Sequence, residues 1–310
     1  MKKTKQPAFT LSLLGPKYWP IWCLLALMRL INLLPFRLQL LIGKLLGKLL
    51  YVTMKSRRKI AQRNIELCFP DKPAAEVEQI VKRNIENTGI ALLESSIAWW
   101  WSNRRLRSLA RFKGYEHIEK AQAQGKGVLL LCAHALHLEV DGRIFGMTHE
   151  AVGFYRPHNN ALMEYFQYRG RCKSNKYMVG KRDVRGLIDA LKEGEVCFYL
   201  PDQDYGRNRC EFVPFFAVKD TATTTGTLLF AEQSECVVIP LVTARLPGGQ
   251  GYEIEALPAF ENFPSGDAAA DVTRVNQWVE KTVAPNIDQY MWVHRRFKTQ
   301  PDPDAPSRYQ

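Results

Sequence analysis

The sequence has no CxxC pair, no internal repeat, no low-complexity run and no small-residue cleavage site behind its apolar N-terminal region. Seven cysteines stand at positions 23, 68, 132, 172, 197, 210 and 236, an odd and scattered set. That spacing argues against a disulfide framework or a zinc ribbon and fits reduced thiols in the cytosol. The missing cleavage site argues against a secretory signal peptide. No segment interleaves aromatic and basic residues as an RNA-binding surface does.

What is present is an ordinary globular composition with a strong charge bias. The 310 residues are 46% hydrophobic and 24% charged, enough for one large domain or two modest ones. Forty-three basic against 31 acidic residues give a net charge of +12. Such a balance points to an anionic partner: nucleic acid, a phosphorylated substrate, an acidic protein or an anionic membrane surface.

The N-terminal region carries the longest apolar stretches. Residues 18–36, YWPIWCLLALMRLINLLPF, approach the ~20 residues that span a bilayer, with Arg29 and Asn32 as interruptions. Residues 37–52, RLQLLIGKLLGKLLYV, set Lys44 and Lys48 on one face of a leucine helix, a pattern that suits the lipid interface. Basic residues flank both sides: Lys2, Lys3 and Lys5 before, and Lys55, Arg57, Arg58 and Lys59 after. The expected organisation is a membrane anchor with an amphipathic basic segment over 1–60, then a domain on the cytosolic face over 61–310. A buried amphipathic helix of the globular domain is the alternative.

From about residue 115 strands and helices alternate. GKGVLLLCAH (125–134), EAVGFYR (150–156), EVCFYLP (195–201), CVVIPLVTA (236–244) and GYEIEAL (251–257) read as strands. NNALMEYFQYRGR (159–171), DVRGLIDALKEG (183–194), TTTGTLLFAEQS (223–234) with threonine caps, and VTRVNQWVEKTVA (272–284) read as helices. The fold class is therefore α/β, with a mostly parallel central sheet flanked by helices. His134, Arg156 and Asp202 each fall at the end of one of these strands. Ligands of open α/β sheets gather at the carboxyl ends of strands, so the three make a candidate site.

Within CAHALHLEVDG (132–142), helix spacing alone pairs His137 with Asp141. If the strand ends before His134, however, that histidine can fold back toward Glu139 on the following helix. A histidine oriented by a carboxylate can deprotonate an alcohol, the general-base half of an acyl transfer. Three other readings stand beside it: a metal site of His134, His137, Glu139 and Asp141, a Cys132 nucleophile, and two purely structural histidines.

An HxxxxE element after a glycine-led strand resembles the HxxxxD/E acyltransferase superfamily, which includes the glycerol-phosphate acyltransferases. GFYRPHNN (153–160), GRCKSNK (170–176), YLPDQDYG (199–206), FVPFFAVKDTATTTGT (212–227) and YMWVHRRFKTQP (290–301) are similar to the late acyltransferases of lipid A synthesis. The resemblance covers essentially the whole chain. LPDQDYG stands where glycerolipid-forming relatives carry an FPEG-type block, which favours the lipid A branch over acylation of a glycerolipid. It implies a glycerol-phosphate-acyltransferase-like fold with N-terminal membrane-anchoring helices and a catalytic domain on the cytoplasmic face of the inner membrane. It implies a secondary acyl chain moved from acyl carrier protein, as donor substrate and without cofactor or metal, to the anionic Kdo2-lipid IV(A) precursor. His134 would be the base and Glu139 would orient it. Arg171 would meet an anionic headgroup or developing charge, Asp202 would hold that arginine or a nearby turn, and Arg156 would bind phosphate. Nucleic acid is not an expected partner; an anion- or nucleic-acid-binding membrane module is the reading of another class.

Overall fold

The computed structural model describes residues 6–310; Lys2, Lys3 and Lys5 lie outside them. Burial of strand β2 (Val128–Cys132) organises the domain. All five of its residues are buried, and Leu129, Leu130 and Leu131 have no exposed surface at all. Each such leucine contributes roughly 1.5–3 kcal/mol of transfer free energy. Alternation along the strand sends Leu129 and Leu131 into one hydrophobic cluster and Val128, Leu130 and Cys132 into the other. A sheet with a core on each face follows directly.

Helices α1 (Trp19–Ile31), α2 (Phe36–Thr53), α3 (Lys55–Cys68), α4 (Ala74–Trp100) and α5 (Asn103–Arg107) precede strand β1 (Ala110–Lys113). Helix α6 (Glu116–Ala123) leads into β2, and α7 (Leu138–Phe145) leaves it. Strand β3 (Ala151–Tyr155), α8 (Ala161–Arg171), β4 (Asn175–Gly180), α9 (Val184–Lys192) and β5 (Val196–Tyr199) continue the alternation. A hairpin, β6 (Cys210–Phe215) with β7 (Val218–Thr224), is followed by α10 (Gly226–Ser234), β8 (Val237–Arg245), β9 (Tyr252–Ala256) and α11 (Ala268–Val283). The main sheet has seven strands in the order β1-β9-β8-β2-β5-β3-β4, all neighbours parallel except β8 with β9. The mostly parallel sheet expected from the sequence is there, with β2 and β5 adjacent near its middle.

Two boundaries differ from the sequence reading. Thr223 and Thr224 end strand β7, so α10 starts at Gly226 with Thr225 at its N-cap, and the Thr224 hydroxyl accepts from the Gly226 N–H at 3.1 Å. Helix α11 starts at Ala268, ahead of the expected Val272, because Asp267 caps it through the Ala270 N–H at 2.9 Å.

The N-terminal third is where sequence and structure part. The apolar stretch 18–36 does not form one span. Helix α1 has 13 residues, about 20 Å at 1.5 Å per residue, against the ~30 Å of a bilayer core. Pro35, at the N-cap of α2, starts a new helix at Phe36. No helix among the described residues is long and apolar enough to cross a membrane, so the expected transmembrane helix is without support there. Leu38, Leu41, Leu45, Leu49 and Val52 instead lie exposed along α2. Its other face packs on α4, a 27-residue helix not anticipated from the sequence. The contact is backbone against backbone: a Cβ on Gly47 would lie 2.4 Å from Glu86 Cα, and one on Gly89 2.3 Å from Gly47 N. Helix α4 then runs from one core into the other, with Val77–Ile85 in the first cluster and Ile97–Trp99 in the second.

Candidate active site

Parallel register places the base beside its partner. Leu131 of β2 pairs with Tyr199 of β5. Positions 134 and 202, each three residues further on, therefore leave the sheet side by side. His134 Nδ1 lies 2.6 Å from Asp202 Oδ1, and Asp202 Oδ2 accepts the His134 backbone N–H at 2.8 Å. A C-terminal strap closes over this loop. The Met291 N–H donates to the His134 carbonyl at 3.0 Å, Leu136 N–H to the Gln289 carbonyl at 2.8 Å, and the Tyr290 hydroxyl to the Asp202 carbonyl at 3.2 Å.

The electrostatics assign a tautomer. Burial pushes the Asp202 carboxyl up, but the His134 ring and backbone N–H and the Tyr290 hydroxyl outweigh it and hold it below 3.8. An ionised carboxylate only accepts, so the proton sits on Nδ1 and the lone pair on Nε2. Nε2 has no partner among the described residues, and the His134 side chain keeps 15% of its surface open. The group is set up as a base.

Glu139 does not orient His134, and Asp202 does not hold Arg171; the two carboxylates exchange the expected partners. Glu139 sits in the first turn of α7, where Arg171 from the last turn of α8 reaches it. Arg171 Nε donates to Glu139 Oε1 at 3.0 Å and to Oε2 at 3.2 Å, and Nη2 also donates to Oε1. Burial raises the Glu139 carboxyl, yet Arg171, Trp99 and Gln167 together bring it below 4.5. The reason for the exchange is topological. β2 and β5 are neighbours, so a residue after β5 meets His134, while α7 faces α8.

Glu139 and Arg171 border a cavity of about 100 Å³ walled largely by Cys132, Ala133, Phe154, Phe198, Leu200 and Leu241. Its wall is apolar and its polar groups are few, as in sites for hydrocarbon-bearing ligands.

His137 and Asp141 form the pair that helix spacing picks out, but it is a structural tie. Nδ1 lies 2.6 Å from Asp141 Oδ2 and Nε2 lies 2.9 Å from Gln289 Oε1. Both ring nitrogens are engaged and the residue is 1% exposed, so no lone pair is offered to a substrate. The four groups of the metal reading are thus split into separate pairs, and no cluster of three or more potential ligands exists among the described residues. Burial pushes the Cys132 thiol up, which leaves it a core residue without thiolate character. Arg156 follows β3 and is exposed.

A family model described as bacterial lipid A biosynthesis acyltransferase matches residues 6–299. The chain belongs to that family. It is 43% identical to a lipid A biosynthesis lauroyltransferase of Escherichia coli strain K12, over 99% of this chain and 100% of the relative. A lipid A biosynthesis acyltransferase of Haemophilus influenzae is 41% identical, covering both chains completely. The palmitoleoyltransferase of Escherichia coli strain K12 is 38% identical over 96% of each chain.

Several groups that serve this acyltransferase site carry no signal in the sequence. Trp99 and Gln167 both help to lower the Glu139 carboxyl, and they come from helices far apart in the chain. Gln289 and Tyr290 clamp the His134 loop from more than 150 residues away. The His134–Asp202 pair is different. Two buried apolar runs, VLLLCAH and VCFYLPD, place a polar residue at the same distance beyond the sheet.

Proposed function

We propose that the protein transfers a secondary fatty acyl chain from acyl-[acyl carrier protein] to a hydroxyacyl group of the Kdo2-lipid IV(A) precursor, at the cytoplasmic face of the inner membrane. The observation that carries this reading is the open Nε2 of a histidine whose Nδ1 is held by a buried aspartate. Nε2 takes the proton of the acceptor hydroxyl as its oxygen attacks the donor's thioester carbonyl. The tetrahedral intermediate then collapses, the C–S bond breaks, and the imidazolium returns the proton to the departing thiolate. Asp202 stabilises that imidazolium. Arg171, fixed by Glu139, offers positive charge to the developing oxyanion or to an anionic headgroup, and Arg156 contributes a second cation at the same edge. No covalent enzyme intermediate is needed.

The exposed leucines of α2 and those of α1 (Leu24, Leu27 and Leu30) support a protein lying in the lipid interface. Lys44 and Lys48 stand among them at headgroup level.

The test is acyl transfer to the tetra-acylated precursor from acyl carrier protein, followed by mass spectrometry of the product. One added chain, absent with His134→Ala, is the expected result. Transfer to a lysophospholipid in place of the lipid A precursor would instead establish the glycerolipid reading. Retained transfer in the His134 variant would remove His134 as the base.

A further inference from the structure

Arg143 stands one helical turn beyond Glu139 on α7 and has no acid of its own. Its side chain lines the same cavity and the residue is 5% exposed. Nη2 donates to Asn103 Oδ1, while Nε and Nη1 are buried with no partner. A guanidinium stays protonated in a protein, so a buried one without a counter-charge is expensive. The neighbours add to that cost. Lys173, in the turn after α8, is driven below its ordinary value by burial and by the charges of Arg143 and Arg29. Ser174, next along the chain and also on the cavity wall, has a buried hydroxyl with no partner. Arg29 is the residue that interrupts the apolar stretch of α1; its guanidinium lies 5.9 Å from the Trp100 ring centroid.

Three cations with no carboxylate partner among the described residues, beside a free hydroxyl, describe a receptor missing its anion. We propose that Arg143, Lys173, Arg29 and Ser174 form a phosphate-binding site, separate from the Glu139–Arg171 pair. Multiple positive charges suit a phosphate monoester better than a carboxylate, and the unpaired N–H groups of Nε and Nη1 are its donors. Helix α1, which supplies Arg29, is also the helix that exposes Leu24, Leu27 and Leu30, so the site's mouth adjoins the apolar face. A lipid headgroup phosphate and the phosphate of a phosphopantetheine arm share the chemistry required. Which of them occupies the site rests on the acyl-transfer reading; the existence of the site does not.

The first experiment uses inorganic phosphate and the full-length protein. Thermal melting in phosphate and in chloride at equal ionic strength should show stabilisation by phosphate alone. Lys173→Gln and Arg29→Gln, both at exposed residues, should lose that stabilisation, and Arg143→Gln should too if it folds. Equal melting in the two salts, or phosphate stabilisation retained in both exposed-site variants, overturns the site.

The second experiment identifies the bearer. Kinetics compare acyl-4′-phosphopantetheine with acyl-pantetheine as donor, and the acceptor with and without one of its phosphates. In Lys173→Gln the KM for the phosphate-bearing member of one pair should rise about tenfold, while its phosphate-free counterpart is unchanged. No such split in either pair overturns the assignment. Absence of acyl transfer with every pair would defeat the acyl-transfer reading while the melting result still decides the site.

Discussion

Asp202 holds His134 twice, through the ring Nδ1 at 2.6 Å and through the backbone N–H at 2.8 Å, so one carboxylate fixes both the position and the tautomer of the imidazole. An amide cannot do both. Asp202→Asn should keep the backbone contact but allow the ring proton to move to Nε2, with kcat falling by about 10⁴-fold, the scale of a wrong-tautomer defect. Nitrogen-15 NMR of the ring would read the tautomer directly. Activity near the wild-type level would show that Asp202 is not the orienting group.

The Glu139–Arg171 pair is largely buried, with 18% and 22% of the side chains exposed. Arg171→Ala leaves Glu139 without its counter-charge and should lower stability by about 3–5 kcal/mol. Arg171→Lys should rescue little, because one ammonium cannot span both carboxylate oxygens. The double variant Glu139→Gln, Arg171→Met should be more stable than Arg171→Ala by denaturant unfolding. If the double variant is the weaker, the pair is not acting as a compensated charge pair.

His137→Ala and Asp141→Asn should leave the chemistry intact and weaken the fold. Each breaks a buried hydrogen bond and exposes the partner's need for one, a loss of about 1–3 kcal/mol. The signature is a lowered melting temperature with kcat per folded molecule unchanged. A specific loss of kcat at full folding would return the pair to the catalytic centre.

How much of this was open to a reader of the sequence depended on range. Strand β2 announced itself through five consecutive apolar residues, and His134 through its place after them. The partners did not, because HxxxxE puts the nearest carboxylate in view and conceals the one brought by β5. Register decides between the two, and register is a property of strand neighbours. The 27-residue α4 was hidden for another reason. It serves two cores in succession, so its apolar residues never form a single stripe of helical period.

Two glycines should respond in opposite directions to alanine. Gly89 touches the backbone of α2, where a Cβ would lie 2.3 Å from Gly47 N, so Gly89→Ala should destabilise by about 1–3 kcal/mol through overpacking. Gly142 in α7 has nothing within 4 Å of an added Cβ, so Gly142→Ala should stabilise by up to about 1 kcal/mol through helix propensity. Gly142 also lines the cavity, and the added methyl should alter activity toward the longest donors first. Urea unfolding of both variants checks the sign.

Acid should weaken the fold in two stages. Burial and the neighbouring His134 and Arg296 hold the His294 imidazole below 6.5, with Asp204 and Asp202 opposing. As pH falls beneath 6.5 the unfolded chain takes a proton that the folded chain refuses, so stability drops. Asp202 and Glu139 titrate below their ordinary 3.8 and 4.5, so their stabilisation is complete above those values and is lost as pH falls through the lower folded ones. His294→Gln should flatten the first stage and leave the second. Unfolding curves from pH 8 to pH 3 would separate them.

The strap over the His134 loop also sets a timetable. His137 and Gln289 are 152 positions apart, so at about 5–20 residues per second a ribosome makes the loop roughly 8–30 s before its clamp. During that interval the nascent chain has a strand, a histidine and a leucine-exposing helix but no assembled base. The partly made chain is therefore inert, and chemistry starts only when the strap has emerged and closed.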